Sequence, residues 1–458
     1  MQSLTSPSLK ELLQKQRTFF ASHETKAYKF RREQLKKLKG IIKENTDKIA
    51  DALKKDLNKS YEEAYLTETS IVLQEIDYHL KNLKLWMEDE EVQTPLHILP
   101  SQSFVRMEPL GNALIIAPWN YPFQLLINPL VGAISAGCTT ILKPSPYTPH
   151  IEEVMHDLIS QIFDEKYVAM VHGGKEENEL LLKERFDIIF FTGSPILGKV
   201  VMRAAAEHLT PVVLELGGKS PCIVDENASI EIAAKRIAWS KTINAGQTCI
   251  APDYILVHES VKDKLLKNIE AYWEKTYGLD ASKSAFYPRI VNEKAFDRLS
   301  KLLESGQLTY GGKTNRDDRF ISPTILENVK DNDPVMQEEI FGPILPIMTY
   351  KNVEEAISYV NAHEKPLALY FYGSNKIAKE VLLKTSSGGA CINDGLMHIA
   401  NHHLPFGGVG NSGMGNYHGK RSFTAFSHQR GIVKTPTWLD LPFKYPPFKF
   451  FSIIKRIL

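Results

Sequence analysis

Residues 111–146 read GNALIIAPWNYPFQLLINPLVGAISAGCTTILKPSP, and the order of patterns within them decides the fold. The run 112–117 is short and apolar, as expected of a strand covered on both faces. The apolar segment 125–135 is long enough for a buried helix, and 139–142 returns to a β-branched strand. Strand, helix, strand in immediate succession is the unit of a parallel sheet, because parallel neighbours need a crossover of helical length. Working outward, the same alternation predicts a helix over 151–162, strands over 167–171 and 187–191, and a helix over 197–208. After Pro211 the rhythm restarts, with strands at 211–216, 221–224 and 254–257 and helices at 230–243 and 261–276. The predicted fold class is therefore α/β, with two doubly wound α/β domains.

Upstream, 8–88 reads as Lys/Glu-rich amphipathic helices, with Leu35, Leu38, Ile41, Ile42 and Ile49 at helical spacing and the lysines on solvated faces. Two β-prone stretches, 94–107 and 424–435, fit neither domain and are predicted to pair as a small sheet outside both. The predicted division is 1–88 with 108–211 as the first domain and 212–423 as the second. Residues 89–107 and 424–437 form a bridging element, and 438–458 an amphipathic tail.

Composition narrows the function classes. The 458 residues are 43% hydrophobic and 24% charged, an ordinary globular balance and too long a chain for one core. The 55 basic residues nearly cancel the 54 acidic ones, so there is no electrostatic case for nucleic-acid binding. Cys138, Cys222, Cys249 and Cys391 are scattered, without C-x-x-C or clustered histidines. That pattern suggests no metal site and no disulfide framework, and predicts a reducing, cytoplasmic setting. The opening MQSLTSPSLKELLQKQ has no signal-peptide core, and no apolar run approaches the ~18 residues of a membrane span.

Four local patterns carry chemistry. Phe191-Thr192-Gly193-Ser194-Pro195-Ile196-Leu197-Gly198 lies between strand and helix, where free N–H groups suit a pyrophosphate; it also reads as an ordinary turn. Asn244-Ala245-Gly246-Gln247-Thr248-Cys249 puts a cysteine in a small polar loop, an unusual place for a core residue. The other three cysteines sit beside buried elements. Glu215 follows an apolar strand and precedes Gly217 and Gly218, placing it as a general base or as a plain loop acid. Asn120, in Pro118-Trp119-Asn120-Tyr121-Pro122, offers an amide of the kind that stabilises an oxyanion.

Together these segments resemble the aldehyde dehydrogenase superfamily. PWNYP at 118–122, LKPSP at 142–146, FTGS at 191–194, ELGGKSP at 215–221, GQTC at 246–249, EEIFGP at 338–343 and LPFGGVGNSGMG at 404–415 occur in the family's order, with 34 residues from Glu215 to Cys249. The resemblance spans nearly the whole chain. The stretch 404–428 and the compact length are most similar to class 3, the fatty and aromatic aldehyde dehydrogenases.

That resemblance implies an aldehyde dehydrogenase-like fold whose bridging, oligomerisation β element builds a homodimer. It implies NAD(P)-dependent oxidation of medium- or long-chain aliphatic or aromatic aldehydes through a Cys249 thiohemiacetal and thioester. Asn120 and the Cys249 N–H would hold the oxyanion, and Glu215 would activate water. Gly193, Ser194 and Gly198 would lie beside the pyrophosphate of NAD. Lys143 would reach the adenosine ribose, Glu339 the nicotinamide ribose, and Phe341 would pack near the ring. No metal is needed. Trp119 is expected as a wall of the site, and His398, His402, His403 and His418 in structural or substrate-lining roles. Family members often carry Glu where this chain has Pro146; its absence beside Lys143 leaves room and positive charge for NADP. A coenzyme A-acylating enzyme would keep Cys249 without needing Glu215, and a silent NAD-binding or structural member would be expected to have lost Cys249, Glu215 or Asn120. All three residues are present.

The tail 448–458 is a separate signal. On a helical wheel Phe450, Phe451, Ile453, Ile454, Ile457 and Leu458 form one arc, and Lys449, Ser452, Lys455 and Arg456 the other. Such a helix packs on its own subunit or dimer partner, or makes peripheral contact with an anionic membrane.

Overall fold

The computed structural model describes residues 5–440, 444–448 and 451–455. Helices Ser6–Ala21, Tyr28–Glu44, Thr46–Leu57 and Ser70–Trp86 form the N-terminal layer. Leu35, Leu38, Ile42 and Ile49 are buried, while Lys36 and Lys37 face solvent, as the helical spacing predicts. This layer covers helix Pro122–Ala136, whose other side faces strands, so all its residues are buried and it is apolar all round. It starts earlier than the apolar run suggests because Pro122 is pre-set for a first helical position.

The first sheet has six strands in the order Gly413–Met414, Val212–Leu216, Ile188–Gly193, Asn112–Ile116, Thr139–Lys143 and Val168–Met170. All pairings are parallel except that of Gly413–Met414. From Asn112–Ile116 the chain steps outward to Val168–Met170, then resumes on the other side with Ile188–Gly193. That reversal opens a crevice at the carboxyl ends of the two central strands, the general ligand position in such sheets. Residues 117–120 and 193–194 leave the sheet there.

The second sheet runs Gln307–Tyr310, Thr324–Glu327, Ile344–Tyr350, Tyr254–His258, Pro221–Val224, Ala368–Tyr372 and Gly389–Ile392, with only the first strand antiparallel. One expectation is corrected here. The stretch 211–216, read as the start of the second α/β unit, pairs in parallel with Ile188–Gly193, setting Glu215 opposite Thr192. Pro211 resembles a boundary, yet helix Pro195–Ala206 is simply the crossover between two strands of one sheet. The chain enters the second sheet only after Gly217 and Gly218.

The two extended stretches do pair. Gln102–Pro109 lies antiparallel to Ser427–Lys434, with Glu90–Val92 on its other side. Their limits are shifted from those predicted, 102–109 against 94–107 and 427–434 against 424–435. Residues 96–98 form a single helical turn between Pro95 and Pro100, which have no N–H to give a ladder, and Thr424 ends up in helix Lys420–Ala425.

Gly198 has a packing role. It is buried in helix Pro195–Ala206 against the sheet, where an added Cβ would stand 2.7 Å from Leu216 Cδ2. Its missing side chain lets the helix approach the strand that carries Glu215. Gly198→Val should therefore destabilise the protein by about 1–3 kcal/mol, measured as a lower denaturant midpoint in the cofactor-free protein.

Candidate active site

The cysteine loop is built from backbone that few residues adopt willingly. After helix Ile230–Thr242, Asn244, Ala245 and Gly246 take φ of 52°, 51° and 73°. Asn and Gly tolerate the left-handed region, whereas Ala resists it, so the surroundings must enforce the turn. Glu63 Oε1 accepts the Asn244 N–H at 2.8 Å, and Asn244 Nδ2 donates to the carbonyls of Asn120 (2.7 Å) and Gln247 (3.0 Å). Buried Gln247 donates through Nε2 to the carbonyls of Asn244 and Arg289, both at 3.0 Å, and accepts the Val291 N–H at 2.9 Å. At Gly246 a Cβ would lie 2.3 Å from the Gly342 carbonyl. Cys249 emerges from this scaffold partly exposed, while Cys138, Cys222 and Cys391 are buried.

The Asn120 loop is held from below by Lys59 and Glu68. Lys59 Nζ lies 2.6 Å from Glu68 Oε1 with both side chains sealed from solvent, and it donates to the Asn120 carbonyl at 3.0 Å. It also sits 4.1 Å above the Tyr121 ring. Glu68 Oε2 accepts the N–H groups of Phe123 (2.9 Å) and Gln124 (3.2 Å) at the positive end of helix Pro122–Ala136. So placed, Asn120 donates one N–H through Nδ2 to the Gln247 carbonyl at 3.0 Å, leaving the second N–H of that amide. Tyr121 Oη and Thr248 Oγ1, 2.7 Å apart, clasp the two loops together.

Glu215 lies in strand Val212–Leu216, 3% exposed, with no partner for either carboxylate oxygen among the described residues. Burial pushes its pKa well above the usual carboxylate range. Burial also raises the Cys249 thiol, with Glu339 and Glu215 adding to the effect. Cys249 and Glu215 both line two cavities. The larger, of about 660 Å³, is an apolar funnel that includes Leu66, Trp239, Ile243, Phe286 and Met397. The smaller, of about 240 Å³, is walled by Trp119, Asn120, Gly193, Ser194, Glu339 and Phe341.

A profile of the aldehyde dehydrogenase family matches residues 1–432. The chain belongs to the aldehyde dehydrogenase family. Within it, the chain falls with class 3. It is 49% identical over 436 residues to 4,4'-diaponeurosporen-aldehyde dehydrogenase of Staphylococcus aureus, covering 94% of this chain and 95% of that one. It is 45% identical over 442 residues to the dimeric NADP-preferring aldehyde dehydrogenase of Canis lupus familiaris, covering 96% and 98%. The substrate-bound structure of Staphylococcus aureus AldH superposes with a TM-score of 0.96 at 47% identity, covering 98% of this chain and 99% of that one. The activity is accordingly NAD(P)-dependent oxidation of aldehydes.

The smaller cavity suits the dehydrogenase cofactor chemically. Thr192 Oγ1 is buried without a partner among the described residues, and Gly217 has no room for a side chain, since a Cβ would fall 2.0 Å from Glu339 Oε2. Burial, with Asp253 nearby, raises the Glu339 carboxyl to about 8. Its loop is fixed by Asp253, which accepts the Ile340 N–H at 2.9 Å and pairs with Lys219. Phe341, at φ 52°, meets Trp119 edge-on at 5.3 Å. Ser194 caps helix Pro195–Ala206 through a 3.4 Å bond from the Leu197 N–H. Lys143 stands apart: it is buried, lines neither of these cavities, and donates to the Pro144 (2.7 Å) and Gly173 (2.6 Å) carbonyls.

Three of the four histidines line the dehydrogenase's funnel or brace its wall, His398 and His418 by stacking on Phe406. His402 lines the funnel with Nδ1 2.8 Å from Glu75 Oε2, and His398 lies 3.3 Å from Cys391 Sγ. Burial lowers His398 and His418 to about 4, so both are neutral. Among the described residues no group of three or more His, Cys, Asp or Glu is placed to hold a metal.

Sequence reading missed Lys59, Glu63, Glu68, Asn244, Gln247 and Tyr121. Lys59 looked like one more solvated lysine, and only Asn-Ala-Gly hinted at left-handed backbone. Lys59→Met should cost about 3–5 kcal/mol by stranding Glu68 in a dry environment. Chemical denaturation measures that loss, and Lys59→Met with Glu68→Gln should recover part of it.

Proposed function

We propose that this dehydrogenase oxidises medium- or long-chain aliphatic or aromatic aldehydes to acids, with Cys249 as nucleophile, Glu215 as base and Asn120 as oxyanion donor. The observation that carries this reading is that Cys249 and Glu215 stand together where the apolar funnel meets the smaller cavity. The Cys249 thiol gives its proton to the Glu215 carboxylate, which passes it to solvent, and the thiolate attacks the carbonyl carbon. The second N–H of Asn120 and the Cys249 N–H receive the resulting oxyanion; one such donor is commonly worth ~10²–10³ in rate. When bound, NAD(P) supplies the hydride acceptor. Glu215 then takes a proton from water, whose oxygen attacks the thioester carbon and releases the Cys249 thiolate. An unpartnered buried carboxylate beside the cysteine supports hydrolysis over transfer to coenzyme A.

In this reading Gly193 and Ser194 face the pyrophosphate, Glu339 the nicotinamide ribose, Phe341 the ring and Lys143 the adenosine ribose through its third N–H. Gly198 acts one layer back, through packing. Exposed Pro146 near Lys143 supports use of NADP beside NAD. The largely exposed strand Ser427–Lys434, with one edge open, supports a homodimer built on the three-stranded sheet.

Both groups that must shed protons are raised, so kcat/KM should climb as pH rises. Cys249→Ala should abolish turnover while cofactor still binds. Glu215→Gln should accumulate acyl-enzyme, visible by intact-mass spectrometry after mixing with aldehyde and NAD. Substantial turnover by Cys249→Ala would end the covalent scheme.

The tail supports a second element of the proposal, a cytoplasmic enzyme held peripherally at an anionic membrane. No described helix is long and apolar enough to cross a bilayer. Trp438, Tyr445, Phe448 and Phe451 are exposed, and Phe451–Ile454 forms one helical turn. Lys449, Phe450, Arg456, Ile457 and Leu458 lie outside the described residues. Full-length protein should co-sediment with anionic vesicles at low salt and a chain ending at Pro447 should not. Recovery of the full chain in the supernatant would assign the tail to packing on protein.

A further inference from the structure

We propose that the funnel sorts aldehydes by charge, admitting neutral chains and rejecting those with a carboxylate at the far end, and that Glu63 is the residue responsible. The inference rests on the reading of the funnel as the substrate's path. Glu62, Glu63 and Glu215 line this cavity, and among the described residues no lysine or arginine does. Glu63 belongs to helical turn Tyr61–Ala64 and lines the cavity, with its Oε1 accepting the Asn244 N–H at 2.8 Å.

Lys59 and the Asn244 N–H favour the Glu63 charge, but burial and Glu68 oppose it and burial is the largest effect. Lys59 is the nearest cation, but it is already committed to Glu68 and the Asn120 carbonyl. Its other neighbours are Glu68, Tyr121 and Tyr277, and none of these is a cation. His402, also in the lining, is bound to Glu75. The apolar wall offers a carboxylate no replacement for its water, and the Glu63 carboxylate adds repulsion across a poorly screened gap. A neutral ester of equal length meets neither obstacle. Burial raises the Glu63 carboxyl to about 7, so its charge, and with it the repulsion, is complete only above that pH.

The test compares kcat/KM for an ω-carboxyalkanal and its methyl ester, at pH 8 and low salt, in the full chain and in Glu63→Gln. The ester should be strongly preferred, and the substitution should shrink that preference by about tenfold, the effect of one charge at about 10 Å and intermediate dielectric. A preference unchanged by Glu63→Gln would overturn the proposal. Because Glu63 also braces the cysteine loop, the unsubstituted enzyme provides a second measurement should the variant not fold. Its ester preference should widen from pH 6 to 8.5 as Glu63 ionises, since steps common to both substrates cancel in the ratio. A flat ratio overturns the proposal as well. Leu66→Trp separates the two readings. If narrowing the funnel leaves the chain-length profile of n-alkanals unchanged, the path is wrong. If the profile shifts while the charge ratio does not respond, the path stands and only the sorting fails.

Discussion

Lys59 and Glu68 meet 2.6 Å apart in a region closed to water, and each is also bound to backbone from another part of the chain. Two charges so placed lose their hydration, and their mutual attraction offsets that loss only when the remaining donors and acceptors are satisfied. Here they are. Glu68 accepts two N–H groups at a helix start, while Lys59 donates to the Asn120 carbonyl and covers the Tyr121 ring. The pair thereby fastens the N-terminal helices to the loop that carries Asn120. The same Asn120 carbonyl accepts a bond from Asn244, so the restraint passes onward to the cysteine loop.

A strained turn needs that restraint. Ala245 in left-handed backbone and Phe341 in the same region both border the site, and each costs free energy that packing elsewhere must offset. The return is position. Cys249 stands at the N-terminal edge of the second sheet, just before Tyr254–His258, and Glu215 at the C-terminal edge of the first. Opposing two sheets edge to edge leaves a cleft with two mouths, one toward the apolar funnel and one toward Ser194 and Glu339. The sulfur is therefore reachable from both cavities.

Dryness sets the chemistry's threshold. Among the described residues Glu215 has no partner, so it keeps a proton more tightly than a surface acid would, and the Cys249 thiol is raised beside it. Glu339, held by the Asp253–Lys219 loop, belongs to the same environment: removing its charge from Cys249 favours the thiolate.

Periodicity and turn residues made the parallel sheets, the buried helix after Asn120 and the pairing of the two extended stretches legible, because those signals are set by neighbours a few residues apart. Cys249, Glu215, Asn120, Glu339 and Phe341 were legible for a related reason: chemically distinctive residues in small polar turns at strand ends have few structural reasons to be there. The sheet to which 212–216 belongs was not legible, since a strand's sequence shows that it is buried but not which neighbour it pairs with. Nor were the roles of Gly198, Lys143, Lys59 and Glu63. Gly198 is explained by Leu216 and Lys143 by Gly173, while Lys59 is 61 residues from the carbonyl it supports and Glu63 is 181 from the N–H it accepts. The sequence by itself determined the elements and singled out groups that the fold brings to one cavity. Only the tertiary structure decided which buried charge meets which partner, because a charge is worth burying only where distant segments deliver every bond that water gave up.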